Sequence, residues 1–308
     1  MNKKIPTDIW AVGILNKKIS QFINKNKNKN TYNYKNNIIW IYPKKSFQFY
    51  ADPFGIWRNS KLYIFVEALD YRIKKGNIDC FVFDKDLKQI GFHHSLSSNY
   101  HLSYPFIVND KDKIYMIPES SQSGRTFIYE PISFPDRWQK VKEIMENVPM
   151  IDPSIIKYED KWWIFYSLPG PNGRAMKELN IAFTDNLLNK WSEHPKNPVI
   201  TDIENSRPGG TPFLHNNCLH LPVQDCKKTY GGQINLLKIE KLTDKDFKAK
   251  KVDTIKPNFH KIYSDGLHTL SKCGNITLID CKKHDYSTKR KWINWQRRLG
   301  RFLPFILK

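Results

Sequence analysis

The sequence predicts an all-β fold, a five-bladed β-propeller followed by a short C-terminal basic amphipathic helix. Two observations carry this prediction: a sixteen-residue pattern that returns without gaps, and a period near 50 residues. DPFGIWRNSKLYIFVE at 52–67, YPFIVNDKDKIYMIPE at 104–119 and DPSIIKYEDKWWIFYS at 152–167 each run from a polar residue and proline through two apolar stretches split by a polar turn. TPFLHNNCLHLPVQ from Thr211 and LHTLSKCGNITLID from Leu267 are weaker copies. The starts at 52, 104, 152, 211 and 267 are 52, 48, 59 and 56 residues apart, room for four short strands with turns in each unit. A β-sandwich leaves five evenly spaced copies unexplained.

Each element has its own signature. The first segment, MNKKIPTDIWAVGILNKKI, has too short an apolar run and no small-residue cleavage site for a signal peptide, so it is expected to be a strand that closes the ring against the last blade. Residues 24–38 form a low-complexity Asn/Lys loop. Within the repeats, Ile, Val, Tyr, Phe and Trp dominate the strands, and Arg58–Lys61, Asn109–Asp112 and Glu159–Lys161 supply the turns. Stretches such as DKWWIFYS are apolar without alternation, which implies burial on both faces between neighbouring blades. The propeller is expected to occupy 1–288 and the basic tail 289–308.

Composition narrows the function classes. With 40% apolar residues, 14% aromatic residues, and no eighteen-residue apolar run, the chain reads as globular with a large core. Five cysteines, an odd number, give no disulfide framework. Cys218 and Cys226, like Cys273 and Cys281, are expected to be buried thiols, and neither a metal nor another cofactor is expected. The net charge of +20 is spread through Lys- and Asn-rich loops and accompanies no nucleic-acid-binding signature, so nucleic acid is not an expected partner. The tail KRKWINWQRRLGRFLPFILK differs: seven basic residues, no acid, and Trp292, Trp295, Leu299, Phe302, Leu303 and Ile306 at helical spacing. That pattern suits an anionic membrane surface, or else a helix docked on the propeller. The expected location is cytoplasmic, with peripheral contact to the inner membrane.

A site follows from the hairpins. First and last residues of an antiparallel hairpin lie side by side, so Asp52 is expected beside Glu67 and Tyr104 beside Glu119. If these runs are the innermost strands, Asp52, Glu67, Glu119 and Asp152 meet at the mouth of the central channel. Carboxylates crowded together repel and shift one another's pKa, an arrangement that serves chemistry or a polyhydroxylated ligand. His101, Tyr104, Arg207, Gln224, Asp225, Tyr230 and His268 stand in or beside the repeats as candidate substrate-binding residues. Asp-Pro as a plain turn starter explains the prolines but not Glu67 and Glu119 at the closing ends of apolar runs.

The Asp-Pro pairs in the first and third blades resemble the propellers of glycoside hydrolase families 43, 32 and 68. More closely, YADPFGIW, HLSYPFI, IYMIPES, IDPSII, SRPGGTPF, QDCKKTYGGQI and GLHTLS resemble the N-terminal domain of plant glucosamine inositolphosphorylceramide transferases, over Ile5 to Lys283. The hydrolase resemblance implies Asp52 as general base and Asp152 as the carboxylate that orients substrate and tunes pKa. It also implies a glutamate general acid in the fourth blade, where this chain has SRPGGTPF and no glutamate. Glu119 or Glu67 is expected to replace that acid, while Arg207 in this place fits a phosphate leaving group or an acidic sugar. The expected function is a carbohydrate-active enzyme of surface-polysaccharide or glycoconjugate biosynthesis, a glycosyltransferase at the cytoplasmic membrane surface using a sugar donor or glycan carried on phosphate. A family 43-like glycosidase and a non-catalytic glycan-binding propeller are the alternatives.

Overall fold

Five antiparallel units, four of four strands and one of five, close into a ring in the computed structural model, which describes residues 7–23, 37–45, 47–287, Trp292 and Trp295. The N-terminal strands β1 (Thr7–Leu15) and β2 (Ile38–Ile41) belong to the last blade. Blade 1 holds β3 (Gln48–Arg58), β4 (Lys61–Asp70), β5 (Lys75–Phe83) and β6 (Gln89–Leu96). Blade 2 holds β7 (Ser103–Asp110), β8 (Lys113–Glu119), β9 (Phe127–Ser133) and β10 (Arg137–Glu143). Blade 3 holds β11 (Ile151–Tyr158), β12 (Lys161–Ser167) and β13 (Glu178–Thr184), with β14 (Ser192–Glu193) and β15 (Ile200–Thr201) along the outer edge of β13. Blade 4 holds β16 (Phe213–His215), β17 (Cys218–Asp225), β18 (Gln233–Leu242) and β19 (Phe247–Ile255). Blade 5 joins β20 (Leu270–Cys273) and β21 (Ile276–Asp285) to β1 and β2.

The first segment closes the ring as its sequence implies. β1 pairs with β21 from Thr7 opposite Asp285 to Leu15 opposite Thr277, so the two ends of the propeller chain are stitched through one blade. Asn37 and Ile38 are the described part of the Asn/Lys stretch, and Ile38 already opens β2; residues 24–36 lie outside the described residues. So does the tail, apart from Trp292 and Trp295, which are helical and exposed.

The apolar runs divide between neighbours. Along β12, Trp162, Ile164 and Tyr166 pack with blade 2, while the alternate residues Trp163 and Phe165 pack with blade 4. All five are buried, each side chain contributing about 1.5–3 kcal/mol of hydrophobic stabilisation. Five such inter-blade cores, one per interface, explain why these strands do not alternate polar and apolar. Left-handed residues at the inner hairpin turns, among them Asn59, Lys111, Glu159, Asn216 and Gly274, reverse the chain after each innermost strand.

The innermost strands share a distortion that re-aims the site. Register breaks between Ala51 and Phe54, Ser103 and Phe106, and Ile151 and Ser154, leaving the two-residue bulges Asp52–Pro53, Tyr104–Pro105 and Asp152–Pro153. Asp52, Tyr104 and Asp152 at these bulges have φ of 50°, 46° and 49°. A non-glycine residue there costs on the order of 1–3 kcal/mol and persists only where surrounding contacts enforce it. The bulge also corrects the expected pairing: Glu67 stands opposite Ala51 and Glu119 opposite Ser103, one step from Asp52 and Tyr104. Proline cannot donate a ladder hydrogen bond, so the pairing slips where it enters.

Candidate functional site at the channel mouth

Asp52 is the most connected of the mouth acids. Its Oδ1 accepts a hydrogen bond from Thr269 Oγ1 (2.9 Å) and faces His268 Nε2 (3.6 Å), and its Oδ2 accepts from the Tyr104 amide (3.3 Å). Behind it, His268 Nδ1 lies 2.7 Å from Asp280 Oδ2. Asp280 also accepts the backbone N–H groups of Asp52 (2.9 Å), His268 (3.1 Å) and Thr269 (2.9 Å). Four donors around one fully buried carboxylate fix the His268 ring, whose outer face stacks on Trp10 at 3.7 Å. Asp280, His268 and Asp52 thus form a line that ends at the mouth. Burial pushes the Asp52 carboxyl up to about 6 against the pull of His268, with Asp152 and Asp280 adding to the rise. For His268, burial works against the charged form, but Asp280 and Asp52 outweigh it and raise its pKa.

Asp152 sits across the channel in a cationic setting. Arg207 Nε and Gln224 Nε2 each donate to its Oδ2 at 2.7 Å, and its own amide donates to Glu119 Oε2 at 3.3 Å. Burial is the largest influence on Asp152 and raises it to about 7, with Arg207 opposing and Glu119 reinforcing. The Arg207 guanidinium lies 5.1 Å from the Tyr230 ring centre, and Tyr230 is 37% exposed. A buried cation therefore reaches the rim under a partly open aromatic ring.

Glu67 and Glu119 differ in how their oxygens are used. Glu119 accepts from Ser121 Oγ at 2.8 Å and from the Asp152 amide, so both its oxygens hold protein donors. Among the described residues, Glu67 has as its side-chain partner His101 Nε2, at 3.4 Å. The Gly76 amide donates to His101 Nδ1 (2.9 Å), which makes that nitrogen the acceptor and leaves the proton on Nε2. Burial lowers the His101 pKa, keeping the ring neutral. Burial first, then Asp52, Glu119, Asp152 and Asp280, drives Glu67 well above the usual carboxylate range. Burial and the neighbouring carboxylates thus favour the protonated form of Glu67.

The structure brings together Asp52, Glu67, Glu119, Asp152, His101, Arg207, Gln224, Tyr230 and His268. Two candidates have other work. Tyr104 is fully buried and crosses the axis, its hydroxyl 2.7 Å from Ser154 Oγ and accepting from the Gly210 amide at 2.6 Å; it ties blades 2, 3 and 4 beneath the acids. A Cβ at Gly210 would lie 1.9 Å from Leu270 O, so only glycine lets blade 4 come this close to blade 5. Asp225 is spent in its own hairpin, accepting from the Lys227 amide and Gln233 Nε2. Thr211, at the start of the fourth copy, accepts from the Lys272 amide, so blade 4 contributes Arg207 and Gln224 to the mouth in its place. Sequence reasoning missed Asp280, although it is the closing residue of the fifth copy, equivalent to Glu67, Glu119 and Gln224. Trp10 carried no signal, since it arrives from the other end of the chain.

Asp52, His268 and Asp280 offer ligand atoms within 4.8 Å of one another. The saturated Asp280 carboxylate makes this a hydrogen-bonded relay, with few lone pairs left to share. Cys80, Cys226, Cys273 and Cys281 are buried and Cys218 is half-buried, all as free thiols.

Comparison with known proteins agrees with this architecture. The family described as "Glucosamine inositolphosphorylceramide transferase 1, N-terminal" matches residues 27–264. Glucosamine inositolphosphorylceramide transferase 1 of Oryza sativa subsp. indica is 33% identical over 209 residues, 67% of this chain and 28% of the relative. The Arabidopsis thaliana protein is 31% identical over 208 residues, 66% of this chain and 27% of the relative. This chain therefore spans little more than a quarter of the length of these relatives. Among solved structures, the catalytic domain of a Coprinopsis cinerea GH62 α-L-arabinofuranosidase superposes with a TM-score of 0.57 at 12% identity, covering 80% of this chain and 95% of that one. A GH43 β-xylosidase/α-arabinofuranosidase from a compost metagenome gives 0.53 at 12% identity, covering 78% and 91%. These two likenesses concern the fold.

Proposed function

The chain belongs to the glucosamine inositolphosphorylceramide transferase 1 N-terminal family, and from that premise we propose that it is a carbohydrate-active enzyme of glycoconjugate assembly, a glycosyltransferase that takes a sugar carried on phosphate. The observation that carries this reading is Arg207, a cation nine-tenths buried against Asp152 at the place where glycosidases of the resembling families have a glutamate acid. Phosphate leaves as a stable anion and needs charge neutralisation more than a proton, and a guanidinium provides that with directional hydrogen bonds. Asp52, oriented by His268 and Thr269, acts as base toward the acceptor hydroxyl or as nucleophile. Asp152 orients Arg207.

Hydrolysis is the second reading, favoured by one feature. Glu67, whose raised pKa favours the protonated form, supplies the acid that departure of an ordinary alcohol requires. Attachment at the inner membrane surface is part of the proposal and rests on the composition of residues 289–308 together with the exposure of Trp292 and Trp295.

Titration calorimetry with glucosamine 1-phosphate, beside methyl glucoside as a neutral sugar, tests the assignment. Arg207→Ala is expected to weaken the phosphate ester by roughly 10- to 100-fold, the worth of a charged hydrogen bond, while hardly changing the neutral sugar. Arg207→Lys keeps the charge opposite Asp152 and should lose less. Equal losses for both ligands, or none for either, would remove Arg207 from phosphate recognition.

A further inference from the structure

Strand direction sorts the loops by end. Asp70 pairs with both Gln48 and Lys75, so the 70–75 turn leaves blade 1 on the mouth side, as does the 42–47 segment that feeds β3. Ile255 pairs with Ile234 at the mouth end of blade 4, and Asp285 pairs with Thr7 at the mouth end of blade 5. The loops at 42–47, 70–75, 256–267 and 283–287 therefore crown the same end of the ring as the acids.

These loops are physically joined. The Tyr71 amide donates to Phe47 O at 2.8 Å, Tyr42 Oη lies 3.2 Å from His260 Nε2, and the Ile262 amide donates to His260 Nδ1 at 2.9 Å. Large apolar side chains nevertheless point outward from them: Tyr42 (46% exposed), Ile73 (55%), Ile262 (63%) and Tyr286 (56%). Lys45, Lys74, Lys256 and Lys261 are exposed beside them. The acids of the same loops are turned to local use, Asp70 on Arg72, Asp265 on the His284 amide and Asp285 on the Ser287 amide. The chain continues onto this surface too, since the Trp292 ring stacks on Phe47 at 5.6 Å.

We propose that the mouth end of blades 1 and 5 is a docking surface for an anionic lipid bilayer, so that the channel mouth opens toward the membrane. Isolated apolar side chains interspersed with exposed lysines, with Asp265 the one exposed acid of these loops and itself hydrogen-bonded to the His284 amide, suit an interface where apolar groups enter the headgroup layer and ammonium groups meet phosphate. The consequence for substrate rests on the proposed function: a mouth facing the bilayer receives a sugar phosphate carried by a lipid. A soluble donor needs no such orientation.

Co-sedimentation of the full chain with phosphatidylcholine vesicles, with and without about 30% phosphatidylglycerol, tests the surface. Ile73→Ser with Ile262→Ser, and separately Lys74→Ala with Lys261→Ala, are exposed changes expected to lower affinity for the anionic vesicles by about tenfold or more. Leu214→Ser with Ile132→Ser, exposed at the opposite end of the ring, should leave it unchanged. The same ranking is expected after deletion of residues 289–308, although overall binding then weakens. Silence of the mouth-end variants in both backgrounds, equal losses from the opposite end, or equal binding to single-stranded RNA would overturn the proposal. Vesicle binding is read without any sugar, so its failure is distinct from failure of the sugar-phosphate site.

Discussion

Asp52→Asn is expected to leave the propeller folded and to lower turnover of a phosphate-linked sugar by about 10² to 10⁴, the range of a positioned proton-transfer group. The amide is nearly isosteric with the carboxylate; its oxygen can still accept from the Tyr104 amide while its NH2 faces the Thr269 hydroxyl, which can turn to accept. What disappears is basicity at the end of the Asp280–His268 line. Circular dichroism and melting should therefore hardly change while the rate falls, and the acidic limb of the pH–rate profile, set near 6 by the burial of Asp52, should vanish with it. A variant with wild-type turnover would show that Asp52 only anchors the bulge.

Glu67→Gln is expected to stabilise the protein, increasingly so as pH rises. The Glu67 carboxyl is raised in the folded state, so the native protein binds more protons than the unfolded chain once pH exceeds the unfolded value of about 4.3. Its contribution is therefore flat below that pH and becomes a growing cost above it, up to about 1.4 kcal/mol per pH unit for one proton, until pH passes the folded value. Asp52 and Asp152, raised to about 6 and about 7, have the same sign and end their windows there. His268, also raised, adds a further loss of stability as pH climbs from the ordinary histidine range to its folded value. Chemical denaturation of wild type between pH 4 and 8 should thus show falling stability, with a shallower fall for Glu67→Gln. A variant that is less stable at every pH would mean that Glu67 is an ionised structural partner.

These two effects also show why the acids stay. A scaffold selected only for stability would not keep four buried carboxyls at one mouth, nor hold Asp52, Tyr104 and Asp152 at positive φ. The strain and the charge crowding fall on the same residues, which is what a site of chemistry looks like.

Much of the ring was legible in the chain because a blade is a local object. Its four strands are close in sequence, its turns have their own chemistry, and the absence of alternation in DKWWIFYS announces burial on both faces. Ring closure was legible for a simpler reason, an apolar segment ahead of the first copy with no other place to go. The acids at 52, 67, 119 and 152 could be found because repetition places equivalent positions at one mouth. The details depend on contacts between copies and were less accessible. Asp-Pro gives no sign that the backbone turns left-handed there, and so no sign that Glu67 would face Ala51. Tyr104 looked like a ligand contact until its hydroxyl met Ser154 and Gly210 from two other blades. Asp280 was within reach as the closing acid of the fifth copy, but its role depends on His268 and on amides drawn from both ends of the ring.

The relay and the arginine divide the mouth into two halves, one basic in the proton-accepting sense and one cationic. A sugar phosphate spanning them would set its anomeric carbon toward Asp52 and its phosphate on Arg207. A crystal structure of the protein with glucosamine 1-phosphate tests this most directly. The account predicts the phosphate within hydrogen-bonding distance of the Arg207 guanidinium and beside the Tyr230 ring, with the sugar over Asp52 and Glu67. Ligand bound at any other surface, with the mouth filled only by solvent at saturating sugar phosphate, would contradict it.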